Sequence, residues 1–351
     1  MKKKLGLIGW YGHDNYGDER MLYCIKRFFS DYELFITGGW EDARYKMDEL
    51  NKCDYVLIGG GGLILRNIGH QTDIIRDLKR PFGFIGVSAE AKHKSMEEYF
   101  EIIKQKADFI MVRDKQSKEY LDNHYKVITG PDLTFLYPFD VVNEVKNDVC
   151  GFNLRDWYYW RGTLHGDYHN LMLKMDNRFP WIRKIYRFRK WNPNKTVKIV
   201  KKNFKDVLPI PFYFETTVIN DLDILSRYFE NVPSTFDASI YNSIRYLIGM
   251  RYHSIVFATQ FGIPFISLSY QPKNETFCSD MGLDMLSVDM YKINELENKI
   301  DYIKDYYQQI RDHLILDREK CNKEIKYIFQ SISDLIKESI ESDKKCRLRE
   351  K

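Results

Sequence analysis

Short apolar runs alternate with longer amphipathic stretches over the first 140 residues. KLGLIGW precedes MLYCIKRFF, DYVLIGGGG and PFGFIGVSA come next, and MEEYFEIIKQKA, DFIMVRD, SKEYL and YKVITGPD follow. Apolar runs of about five residues that end in Gly or Asp and give way to helical spacing are the pattern of parallel strands buried on both faces. A second series runs through DVCGFNLR, DVLPIPFYFE, RYLIGM and PFISLSY, with helical spacing at Asp221 to Phe229, Ala238 to Ile244 and His253 to Phe261. The pattern predicts an α/β chain of two consecutive doubly wound sheets, with ligand sites beyond the carboxyl ends of strands and in a cleft between domains. The predicted boundaries are 1–142 for the first domain and 143–290 for the second. Residues 291–351 read as packing helices with a charged, frayed tail, because Leu296, Ile300, Ile303, Tyr307 and Ile310 recur at spacings of three and four.

The 351 residues, 44% of them hydrophobic, suffice for two cores. Six cysteines lie far apart with no metal-ligand spacing, and read as reduced thiols of a cytoplasmic protein. The start, MKKKLGLIGWYGHDN, is too short in apolar residues for a secretion signal. The longest apolar candidate, Ile255 to Tyr270, is interrupted by Gly262-Ile263-Pro264 and is no membrane span. No metal or cofactor is expected.

Candidate chemistry gathers at strand ends. The loop Gly9 to Glu19, with Gly12, Asn15 and Asp18, lies between a strand and a helix, where glycines allow either a tight turn or close approach to an anion. Gly59 to Gly62 exceed what one turn needs and suggest backbone lining a cleft, with Gly60 and Gly61 at its centre. Arg113-Asp114 reads first as a helix entry capped by Asp114. Asp132 either caps a turn or faces the cleft. Arg155 ends the strand CGFNL and offers a guanidinium fork to a carboxylate or phosphate, with a surface ion pair as the alternative. Arg251 ends RYLIGM, and His253 sits in the first turn of the next helix. A fixed cation, a titratable group and the positive end of a helix dipole therefore share one place, which reads as an anion site with a proton donor beside it.

The net charge of +4 conceals an asymmetry: residues 156–205 hold 13 Lys/Arg against 3 Asp, together with four of the six tryptophans. If 181–191 is helical, Trp181, Ile182, Ile185, Tyr186 and Phe188 share one side, and Arg183, Lys184, Arg187 and Lys190 take the other. That pattern fits an interfacial helix over 178–191 resting on the inner face of a membrane, or a solvated helix packing its aromatics on the domain. Nucleic acid is not expected, since no motif for it accompanies the basic residues.

Several blocks resemble the polysaccharide pyruvyl transferases: GWYGHDNYGDE at the start, then DYVLIGGGGLI, MVRDKQS, ITGPDL and GFNLRDW in order, and RYHSIVFATQFGIPFISLSYQPK as the most specific. Tyr252 and Gln271 depart from the pattern. The resemblance implies a GT-B-like pair of Rossmann-type domains facing a cleft, and transfer of pyruvate from phosphoenolpyruvate to a sugar diol as a cyclic ketal, during surface or exopolysaccharide biosynthesis. It implies phosphoenolpyruvate as co-substrate and a glycan acceptor that is lipid-linked or free. On that reading Arg251, Arg155, Tyr252 and Lys273 bind the donor and His253 is the general acid. Gly12, Asn15, Asp18, Gly60, Gly61 and Asp132 line the acceptor side or the cleft. A nucleotide-sugar glycosyltransferase and a non-catalytic glycan-binding relative are the alternatives.

Overall fold

The computed structural model describes residues 2–64, 69–89, 94–140, 148–155, 193–216 and 220–349. The basic aromatic segment 156–192, with the expected interfacial helix, lies outside the described residues. The chain forms two compact units, residues 1–138 with 319–351, and residues 139–318.

The first unit is built on a six-stranded parallel sheet. Its strands are β1 (Lys4–Gly9), β2 (Glu33–Gly38), β3 (Tyr55–Ile64), β4 (Phe82–Ala89), β5 (Ile110–Val112) and β6 (Val127–Thr129), in the order β2-β1-β3-β4-β5-β6. The central strands are the apolar runs of the sequence: β4 is buried at every position and β3 at all but one. The chain leaves β1 to one side for β2 and to the other for β3, so this doubly wound sheet has its topological switch point between β1 and β3.

The second unit repeats the plan with β7 (Val149–Asn153), β8 (Asp206–Pro209), β9 (Tyr246–Gly249), β10 (Phe265–Ser269) and β11 (Ser287–Asp289), ordered β11-β10-β9-β7-β8 and parallel throughout. Its switch point falls between β7 and β9. Gly249 at the end of β9 is required by packing: a Cβ there would lie 2.3 Å from Ser254 Oγ, so its absence lets the following helix, Tyr252–Phe261, start hard against the strand. An aromatic cluster of Phe212, Phe236, Tyr241 and Phe257 fills the space beneath that helix.

The C-terminal region differs from expectation. Residues after 290 are not a third body: Leu296–Asp305 belongs to the second unit, and the last helix, Tyr307–Arg349, begins there and ends in the first. The segment expected to fray is helical through Arg349 because Ile325, Ile328, Phe329, Ile332, Ile336 and Ile340 form a buried stripe at spacings of three and four. Asn322 Nδ2 donates to the carbonyls of Phe135 and Leu136, at 2.7 and 3.2 Å, which fixes the helix to the first unit. That unit is therefore discontinuous in sequence.

Candidate functional site

In the second unit charged side chains gather at the switch point. Asn153, the last residue of β7, is fully buried. Its Oδ1 accepts the backbone N–H of Arg251 at 2.7 Å, and its Nδ2 donates to the Ile210 carbonyl at 2.8 Å, so one amide ties together the ends of β7, β8 and β9. Arg251 is the N-cap residue of helix Tyr252–Phe261. Its side chain turns to Asp221, donating from Nε at 3.0 and 3.2 Å to the two carboxylate oxygens and from Nη2 to Oδ1. Asp221 has no exposed side-chain surface, and its Oδ2 also accepts the Phe212 backbone N–H at 2.9 Å. The capping box of Asn220 and Asp223 starts the short helix Asp221–Leu225 and sets that carboxylate in place.

This geometry refines the sequence expectation for Arg251. Its two-pronged edge is taken by Asp221, which leaves Nη1 as the part of the guanidinium not engaged by the carboxylate. Burial would depress the Arg251 pKa, but the Asp221 carboxylate outweighs it and the net shift is upward. The Tyr213 ring lies 5.1 Å from the guanidinium carbon and closes another side of it.

Arg155 follows β7 and holds a different partner. Its Nη1 donates to the Tyr270 hydroxyl at 3.3 Å and its guanidinium carbon is 5.5 Å from the Tyr270 ring centre, while Lys273 Nζ is 5.8 Å from the same ring. Tyr270 follows β10 and is 2% exposed; Lys273 lies in the first turn of helix Pro272–Asp280. Burial alone would raise the phenol's pKa, yet Lys273, Arg155 and Arg251 together lower it to about 7. Arg155 is shifted downward, by burial first and by Arg251 in addition. Three cations thus converge on one region where two helices also present their N-terminal ends.

His253 is 8% exposed, packed edge-on against Tyr252 with ring centres 5.2 Å apart and tilted against Phe257 at 6.1 Å. Tyr252 packs against Phe277. Helix placement keeps His253 within two residues of Arg251, whereas Tyr252 contributes ring packing.

The first unit has its own switch-point cluster. The Tyr11 hydroxyl donates to the Gly59 carbonyl and accepts the Gly60 N–H at 2.9 Å, linking the loop after β1 to the middle of β3. Gly59 is explained by packing, since a Cβ would sit 1.8 Å from the Ile85 carbonyl oxygen. Gly60 approaches Met21 and Leu133, and Gly61 combines φ +94° with a near contact to Asp18. Gly62 is exposed, and among the described residues nothing crowds it. Gly12 N–H donates to Glu19 Oε1 at 2.6 Å, and Asn15 is the N-cap residue of helix Tyr16–Phe28. Asp132 departs from the expectation of a lining residue. Its carboxylate is wholly buried, accepting from Arg113 Nη1 at 3.1 Å and from the Thr134 amide and hydroxyl at 3.0 and 2.8 Å. It is a cap and ion-pair partner inside the unit. Asp114 caps its helix, accepting from the Ser117 N–H at 2.7 Å, as the sequence predicted.

Among the described residues, no group of three or more His, Cys, Asp or Glu side chains is placed to hold a metal ion, and no helix is long and apolar enough to cross a membrane.

The family model described as polysaccharide pyruvyl transferase matches residues 15–272. The chain belongs to the polysaccharide pyruvyl transferase family. Residues 15–272 contain both switch-point clusters except Tyr11, Gly12 and Lys273, and the family is one of transferases. No curated protein sequence gives a significant match. Among solved structures, this pyruvyl transferase family member is similar to HepE of Anabaena in complex with UDP-glucose, with TM-score 0.57 and 9% identity over 97% of this chain and 99% of that one. It is also similar to UDP-N-acetylglucosamine 2-epimerase from Rickettsia bellii (TM-score 0.54, 9% identity, 96% and 97% coverage). The Neisseria meningitidis UDP-GlcNAc 2-epimerase bound to UDP-GlcNAc is a further neighbour (0.51, 10%, 95% and 100%). At such identity the likeness concerns fold, which is GT-B-like with two Rossmann-type, doubly wound domains.

The sequence pointed to Arg155, Arg251 and Lys273 as candidates but gave no role to Asp221, Asn153 or Tyr213, and none to Tyr270 beyond the end of an apolar run. Asn153 had a signal, two residues before Arg155 at a strand end. Asp221 had none beyond its place at a helix start, because its partner lies 30 residues away.

Proposed function

We propose that this protein transfers pyruvate from phosphoenolpyruvate to a sugar diol as a cyclic ketal, during the synthesis of a surface or exported polysaccharide. The observation that carries this reading is the convergence of Arg155, Arg251 and Lys273 at the second switch point, beside two helix N-termini. A small, densely charged anion bearing both phosphate and carboxylate suits such a region. Arg155 and Lys273 neutralise the donor, and Arg251 contributes through the edge that Asp221 leaves available.

In this scheme His253 protonates the methylene carbon, which becomes a methyl group and leaves C2 oxocarbenium-like. One sugar hydroxyl bonds to C2 and loses its proton. The C2–O bond to phosphate then breaks, and a neighbouring hydroxyl closes the ketal as its proton leaves. Two hydroxyl protons are released and two are taken up, one by carbon and one by phosphate, so the cycle is proton-neutral. The acceptor falls to the first unit, where Gly12, Asn15 and Asp18 follow β1 and Gly60 and Gly61 lie within β3.

A nucleotide-sugar glycosyltransferase is the competing reading, motivated by the UDP-sugars in structures of similar fold. The test is incubation with phosphoenolpyruvate and a panel of glycans. Acceptor-dependent phosphate release with the mass gain of a pyruvyl ketal supports the proposal. Nucleotide release from a UDP-sugar with no reaction of phosphoenolpyruvate overturns it.

A further inference from the structure

Tyr270 is a phenol whose hydroxyl is set among cations. It is buried, and yet its hydroxyl is the atom toward which Arg155 Nη1 donates, 3.3 Å away. A neutral hydroxyl can accept that bond, but a phenolate accepts it more strongly, because the guanidinium then faces an opposite charge rather than a dipole. Lys273, three residues on, lies against the same ring, and Arg251 reaches the region from the end of β9.

The surrounding acids have other engagements. Asp221 holds Arg251; Glu215, after β8, accepts the Tyr213 hydroxyl at 2.5 Å; Asp289, on the neighbouring strand β11, accepts the Tyr291 N–H at 2.9 Å. Tyr252 and His253 are the titratable groups of the adjoining helix, and Glu275 lies two residues beyond Lys273 on the helix Pro272–Asp280. Among the described residues, the charges that weigh on the Tyr270 hydroxyl are the cations of Lys273, Arg155 and Arg251.

We propose that Tyr270 is a proton acceptor of the anion site, taking up one proton when an oxyanion occupies the cations gathered around its hydroxyl. The cause is electrostatic linkage. While Arg155, Lys273 and Arg251 face no ligand they hold the phenol ionised, in keeping with a pKa lowered to about 7. An arriving phosphate and carboxylate neutralise the same cations and remove the reason for the phenolate to persist.

This deepens the pyruvyl-transfer reading and, for its chemical consequence, rests on it. With the donor bound Tyr270 is the neutral phenol, and it gives its proton to the phosphate oxygen as the C2–O bond to phosphate breaks. His253, having given a proton to the methylene carbon, regains one from the first sugar hydroxyl as its oxygen bonds to C2, and the phenolate left at Tyr270 takes the proton of the second hydroxyl. Both groups return to their states in the donor complex, the proton taken up on binding leaves again with the products, and no oxidant or further reactant is needed.

The test reads tyrosinate directly. At pH about 8 ordinary tyrosines, with pKa near 10, are protonated, so the near-ultraviolet tyrosinate band reports Tyr270. Adding phosphoenolpyruvate to the whole chain should abolish about one tyrosinate per molecule, while calorimetry in two buffers of different ionisation heat shows matching proton uptake. Tyr270→Phe should lack the band and the uptake. Lys273→Met, which keeps the phenol, should shift its appearance to higher pH. Inorganic phosphate serves as a second probe. If phosphate binds and quenches the band while phosphoenolpyruvate does not bind, the proton-acceptor role stands and the donor reading falls. If calorimetry shows either anion bound with the band unchanged, or no band exists in the free protein, or neither anion binds, the inference is overturned.

Discussion

Replacing Asp221 with alanine should destabilise the second unit more than any other single change at the site. The carboxylate has no exposed surface, and Arg251 is 12% exposed, so removing one partner strands a guanidinium in a place chosen for an ion pair. Breaking such a pair from one side costs about 3–5 kcal/mol, and the Phe212 N–H, now 2.9 Å from Asp221 Oδ2, loses its acceptor in the same step. For a unit of this size about 1 kcal/mol moves the melting midpoint by roughly 2–4 °C, which makes the expected loss on the order of 10 °C. Scanning calorimetry on the intact protein is the assay, with attention to the transition of residues 139–318. Removing the exposed pair Asp334 and Lys337 should leave the scan where it was. The double replacement Asp221→Leu with Arg251→Met should recover much of the loss, because an apolar pair of similar volume strands no charge. An Asp221→Ala protein melting within about 1 kcal/mol of the parent, or a double variant no better than the single one, would refute the view that this pair is mutually dependent.

His253→Ala should lower turnover by about 100-fold or more with donor affinity kept, as for loss of a general acid; parental turnover in steady-state assays removes His253 from the chemistry. Arg251→Lys should weaken both donor binding by calorimetry and thermal stability, since an ammonium cannot reproduce the two-pronged contact with Asp221. Stability should rise with pH between about 7 and 10, because Tyr270 is depressed to about 7 in the folded chain and titrates near 10 when unfolded. Its contribution is complete above the unfolded pKa and lost as pH falls through the folded one; denaturation midpoints of the Tyr270→Phe variant should lack that slope. Gly59→Ala should destabilise by at least about 1–3 kcal/mol through overpacking against Ile85, while Gly62→Ala should be neutral by the same melting assay.

What could be read in the sequence, and what could not, follows the range of the interaction concerned. Strands buried on both faces announce themselves as apolar runs, so β1, β3, β4, β7, β9 and β10 were legible, while β2 was not: it is the edge strand of its sheet, mostly half-buried, and its sequence ELFITG mixes faces. β11 is three residues at the other sheet's edge. The glycine run of β3 was ambiguous because the crowding by Ile85, Met21 and Leu133 that accounts for Gly59 and Gly60 comes from elsewhere in the first unit. Asp132 was undecidable for the same reason, its partner Arg113 being 19 residues away. At the second switch point the cations were visible, each being a charged residue at a strand end or helix start. The groups that set their state were hidden. Asp221 decides which edge of Arg251 is available, and Tyr270 responds to the charge that Arg155 and Lys273 carry. Both effects depend on distances of a few ångströms between segments 30 to 115 residues apart. A sequence pattern can therefore locate the charge of such a site, whereas its protonation state is a property of the folded arrangement, which is why the titration of Tyr270 is the measurement that connects the two.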